Sequence, residues 1–95
     1  MHKYRELKIW HKAIELSVEI YKLVADFPSD EKFGIVSQLR RASVSVPSNI
    51  AEGSRRKSQK EFAHYLSMSL GSLFEIETQL TISNRIKHID NKNLE

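Results

Sequence analysis

Pro47 interrupts a helical pattern without ending it, and no other residue constrains this chain as much. Proline lacks a backbone N–H, and its ring clashes with the carbonyl four residues back, so an interior proline kinks or stops a helix. The apolar face formed by Phe33, Val36, Leu39, Ala42 or Ser43, Val46 and Ile50 carries on past it. The pattern therefore predicts one kinked helix over about 30–53. Ser29 is its expected N-cap, with Asp30 and Glu31 in the first turn. Gly53 is the expected left-handed stop. Ser43, Ser45 and Ser48 are the expected partners for backbone groups that the proline leaves free.

Only two prolines and three glycines occur in 95 residues, which suits long helices joined by short connections. A first helix is expected over about 5–26. Leu7, Trp10, Ile14, Val18, Tyr21 and Ala25 form one apolar row, and Ile9, Ala13, Leu16, Ile20 and Leu23 form a second beside it. A helix with a single neighbour carries an apolar stripe of roughly 100°. The two rows here cover more than half the circumference, so this helix calls for packing on two sides. Trp10 reads as a core anchor.

A third helix is expected over about 58–85. Ser58-Gln59-Lys60-Glu61 fits the capping box, in which serine and glutamate side chains satisfy each other's backbone amides. Phe62, Leu66, Ser69, Leu73, Ile76 and Leu80 form its inward row, widened by Leu70 and Phe74. Ser67, Ser69, Gly71 and Ser72 make a small-residue patch. Glycine inside a helix costs about 1 kcal/mol against alanine, and close approach of another backbone is the expected compensation at Gly71. Glu75 and Glu77 cannot share a helix face, so one of them is expected inward or at an interface. Asp90 to Glu95 reads as the start of a fourth helix.

The whole chain, residues 1–95, is thus expected to form an all-α, single-domain helical bundle with three long helices and a fourth truncated or only begun. A core this small is expected to need a partner chain, and homo-oligomerisation follows from the wide apolar faces. With no cysteine, no disulfide or thiolate metal site exists. The charged N-terminus and the lack of a long apolar run point to a cytoplasmic protein without a membrane segment.

Residues 54–60 hold Arg55, Arg56, Lys57 and Lys60 and no acid, a local +4, while the other 88 positions sum to −1. Together with Arg40 and Arg41 these cations form a candidate nucleic-acid-binding surface, because arginine forks fit phosphate and neutralised phosphates release counterions. No aromatic interleaves with them, so the expected contact is to RNA or DNA backbone. The plainer alternative is a solvated loop on a protein-interaction or scaffold module. Asn49 and Glu52 read as structural, with Glu52 within reach of Arg55 or Arg56. No paired catalytic groups occur, so the chain reads as non-enzymatic. His2, His11, His64 and His88 lack ligand spacing, so neither a metal nor any other cofactor is expected, and no small-molecule substrate.

Several stretches resemble the small four-helix-bundle proteins encoded in intervening sequences of bacterial 23S ribosomal RNA genes. They are LKIWHKAIEL (Leu7 to Leu16), YKLVADFP (Tyr21 to Pro28), QLRRASVSVPSNIAEGSRRKSQKEF (Gln38 to Phe62) and YLSMSLGSLFEIETQL (Tyr65 to Leu80). The segment around Pro47, Asn49, Glu52 and Gly53 is the most specific. A more distant relative is the accessory variability determinant protein of diversity-generating retroelements. The resemblance implies an up-down-up-down antiparallel bundle that assembles into pentameric rings. It also implies association with nucleic acid through a basic surface, as in the retroelement relative, and carries over no enzymatic activity. Family members continue through a full fourth helix, whereas this sequence stops at its expected start.

Overall fold

In the computed structural model, residues 1–89 are described, and every regular element among them is helical. The expected fourth-helix start at 90–95 lies outside the described residues. Helix α1 spans Lys8–Val24, α2 Ile35–Ser54 and α3 Gln59–Arg85.

The first helix begins later than its apolar periodicity predicts. Tyr4–Glu6 form a single 3-10 turn, and Leu7 is extended (φ −85°, ψ 124°). Side-chain contacts hold that turn apart from α1. His11 Nε2 donates to the Arg5 carbonyl at 2.7 Å, and the Tyr4 ring meets Trp10 edge-on at 5.2 Å. At its other end α1 stops at Val24, and Phe27 turns into the core.

Ser29 does not cap the second helix. Ser29–Glu31 form a 3-10 turn with no side-chain cap bond, and α2 begins only at Ile35. Phe33, assigned above to the buried face, lies in the turn that follows and is 90% exposed. The helix register is set instead by Val36, Leu39, Ala42, Val46 and Ile50, all buried.

As predicted, α2 runs through Pro47 without a break. It runs through Gly53 as well, and no described glycine has a positive φ. Gly53 is there for space. A Cβ added to it would lie 2.5 Å from Tyr65 Cβ and 3.1 Å from Phe62 Cδ1, so only glycine lets α3 come this close. Gly71, where close approach was expected, has nothing within 4 Å of its hypothetical Cβ.

Helix α3 is capped where the sequence indicates. The Glu61 amide donates to Ser58 Oγ at 3.1 Å, one limb of the capping box. Its C-terminus closes in a Schellman motif, with the Lys87 amide on the Asn84 carbonyl and the His88 amide on the Ser83 carbonyl. Lys87 occupies the left-handed position (φ 68°) that glycine usually fills. Beyond it, His88 Nε2 donates to Glu31 at 3.0 Å and Ile89 is buried, tying the end of α3 to the turn before α2. Glu75 and Glu77 are both exposed, so of the two expected places, inward or at an interface, the inward one is ruled out.

Helix α2 is the shared partner: it packs on both α1 and α3, which make next to no contact with each other. Three serines bridge the helices around Pro47. Ser17 Oγ on α1 donates to the Ser43 carbonyl at 2.7 Å. Ser69 Oγ on α3 donates to the Val46 carbonyl and Ser72 Oγ to Ser45 Oγ, each at 2.9 Å. Contacts between α2 and α3 pair 53 with 65, 46 with 69, 45 with 72 and 38 with 79, numbers rising on one helix as they fall on the other. Because α3 buries Ser69, Ser72 and Ser83 as well as Ile76, its backbone lies close to α2.

An apolar groove of about 370 Å³ separates α1 from α3. Val46 and Ile50 line its floor, with Ile9 and Leu16 on one wall and Leu66, Leu70 and Leu73 on the other. The row Ile14, Val18 and Tyr21 is exposed on another side of α1. Both sides of α1 identified from the sequence therefore exist, and α2 covers only part of them.

Candidate nucleic-acid interface

The basic cluster sits where α2 hands over to α3. Arg55 is the C-cap of α2, its amide bonded to the Glu52 carbonyl, and Lys57 lies in the bend that follows. Lys60 follows Ser58 in the first turn of α3. All three side chains are exposed.

Arg56 differs from its neighbours. Its guanidinium donates to Glu52 Oε1 and to the Tyr65 hydroxyl, and it lies 4.9 Å from the centroid of the Tyr65 ring. Glu52 is thus paired with Arg56, one of the two partners expected for it. The same side chain ties the helix ends together beside Gly53, both hydrogen bonds coming from its Nη2. Asn49 is structural too: its Nδ2 donates to the Ser45 carbonyl and to Ser45 Oγ, both at 2.9 Å.

Arg40 and Arg41 do not join this cluster. Fourteen or more helical positions separate them from Arg55, roughly 20 Å along the axis at 1.5 Å per residue. They also face different ways. The Arg40 guanidinium lies 5.2 Å from the Tyr21 ring centroid on the α1 side, whereas Arg41 borders Ser72, Glu75 and Gln79 on the α3 side. The six predicted cations thus separate into an exposed group (Arg55, Lys57, Lys60), a tethered one (Arg56) and a distant pair.

Sequence proximity concealed further members. The backbone amide of His2 donates to the Ser54 carbonyl at 2.7 Å, satisfying an acceptor that the end of α2 leaves free. The His2 ring packs at 5.1 Å on Phe62. These contacts bring Lys3 and Arg5, about fifty residues distant in sequence, to the same end of the molecule as Arg55. Residues 1–6 and 52–61 together hold six lysines and arginines against Glu6, Glu52 and Glu61, so this end accounts for the chain's whole formal charge of +3. The alternation His2-Lys3-Tyr4-Arg5 was the only local hint of the strap, and nothing in its spacing says where it docks.

No helix among the described residues is long and apolar enough to cross a membrane. No curated protein matches the chain. A family model described as 23S rRNA-intervening sequence protein matches residues 5–95, a span that includes the basic turn and all three long helices. The chain therefore belongs to the 23S rRNA-intervening sequence protein family.

Proposed function

We propose that this protein is a non-enzymatic helical-bundle protein that binds the phosphate backbone of nucleic acid through its basic end. The observation that carries the reading is the convergence of Lys3, Arg5, Arg55, Lys57 and Lys60 at one end of an otherwise charge-balanced molecule. Exposed cations in such a cluster lower the electrostatic free energy of a polyanion and release its counterions. Glu52, in the last turn of α2, is engaged with Arg56.

The same reading includes self-association of an antiparallel, up-down bundle. The apolar groove between α1 and α3 and the exposed row Ile14, Val18 and Tyr21 support it, because a chain this small gains from covering such surface. A homo-oligomer, the pentamer implied by the family resemblance included, would display several basic ends at once and so raise avidity.

Fluorescence anisotropy with an RNA oligonucleotide at low salt tests the proposal. The Arg55→Glu/Lys57→Glu/Lys60→Glu variant should lose binding while keeping the wild-type helix content and the same mass by light scattering. Absence of binding by the wild-type protein at low salt would leave the scaffold reading in its place.

A further inference from the structure

The strap formed by residues 1–6 does more than add charge: with Arg55 it encloses an open cleft of about 710 Å³. That volume lies within the range of roughly 300–1,000 Å³ typical of small-ligand pockets. Two kinds of group line it. Lys3, Arg5 and Arg55 supply cations, opposed only by Glu6, and His2 and Tyr4 supply rings that alternate with Lys3 and Arg5 along the strap.

The rings are held in place. His2 is fixed at both its backbone and its ring, by Ser54 and Phe62. Tyr4 is braced edge-on by Trp10, and the Arg5 guanidinium lies 5.7 Å from its centroid. The Arg5 carbonyl is in turn fixed by His11. The cleft wall is therefore braced against α1 on one side and against the end of α2 and start of α3 on the other.

We infer that this cleft holds an unpaired nucleotide of a single strand, its phosphate set among Lys3, Arg5 and Arg55 and its base against His2 and Tyr4. The inference rests on the nucleic-acid reading above and sharpens it. A duplex keeps its bases stacked inside and offers this cleft only phosphate. A single strand can place a base face on an aromatic side chain or an arginine plane. Single-stranded nucleic acid is accordingly the favoured partner, with contacts at Lys57 and Lys60 indifferent to strandedness.

Anisotropy titrations with an oligouridylate of about 12 nucleotides and with an RNA duplex of equal strand length, at one salt concentration, test this. The wild-type protein should bind the single strand about tenfold more tightly. The His2→Ala/Tyr4→Leu variant should lose that preference while its duplex affinity stays within about twofold, and Tyr4→Phe should retain it. Leucine keeps an apolar contact for Trp10, and His2→Ala alone, with a partial loss, covers the case in which the double variant fails to fold. Equal affinity for both RNAs, or a preference that survives the double variant, overturns the cleft assignment and leaves backbone binding standing. No affinity for either RNA overturns both.

Discussion

Ser17 Oγ donates at 2.7 Å to the Ser43 carbonyl, the acceptor that Pro47 leaves without its intrahelical donor. An α-helical carbonyl at position 43 normally receives the amide of residue 47, and proline has none. The donor comes from α1, 26 residues earlier, so satisfying the freed carbonyl and docking the first helix are the same contact. On the opposite side, Ser69 and Ser72 of α3 bond to Val46 and Ser45. The proline is thus the point about which both flanking helices are aligned.

That relationship predicts a coupling. Ser17→Ala should destabilise the protein by about 1–2 kcal/mol in urea denaturation, because a largely buried acceptor loses its partner. In a Pro47→Ala background the backbone amide restored at position 47 can serve the Ser43 carbonyl, and the same change should cost about 1 kcal/mol less. Additive effects would mean that the serine and the proline act separately.

The glycines in α2 and α3 should behave in opposite ways. Gly53→Ala forces a Cβ against Tyr65 and should cost about 2–3 kcal/mol as α3 is pushed away. Gly71→Ala meets open space within the chain and should gain about 0.5–1 kcal/mol. Thermal denaturation of the two variants distinguishes them. A loss at Gly71, accompanied by a lower mass in solution, would place that residue at an interface between copies.

Lys87 holds a left-handed conformation that costs an L-residue about 1 kcal/mol. Lys87→Gly should raise stability by about that amount without altering the His88–Glu31 contact, as read from its melting curve and an unchanged far-UV spectrum. An unchanged or lowered melting temperature would show that the closing turn at the end of α3 carries no strain.

The passage of α2 through Pro47, the extent of α3 and its Ser58 cap were legible in the sequence because each is set largely by residues within a turn or two. The late start of α2 was not. Ser29 has the right chemistry for a cap, but the register of Val36 and Leu39 against the core decides where the helix begins, and Phe33 is left in solvent. Gly53 was visible as a special position, yet its reason, the approach of Tyr65, comes from another helix. The candidate interface was half visible. Arg55, Lys57 and Lys60 are neighbours in the chain, whereas the capture of Arg56 by Tyr65 and the docking of His2 on Ser54, which brings Lys3 and Arg5 to this end, follow from tertiary packing.

In the proposed mode of binding, the cations at the α2–α3 turn and the strap, and not all six predicted from the sequence, engage phosphate. The direct test is the slope of log affinity against log salt concentration for a single-stranded RNA, with each neutralised phosphate contributing about −0.7. Arg55→Ala/Lys57→Ala/Lys60→Ala should flatten that slope by about 2, and Lys3→Ala/Arg5→Ala should flatten it by about 1.4. Arg40→Ala/Arg41→Ala should leave it unchanged. A slope that responds to Arg40 and Arg41 but not to the basic end would contradict the account.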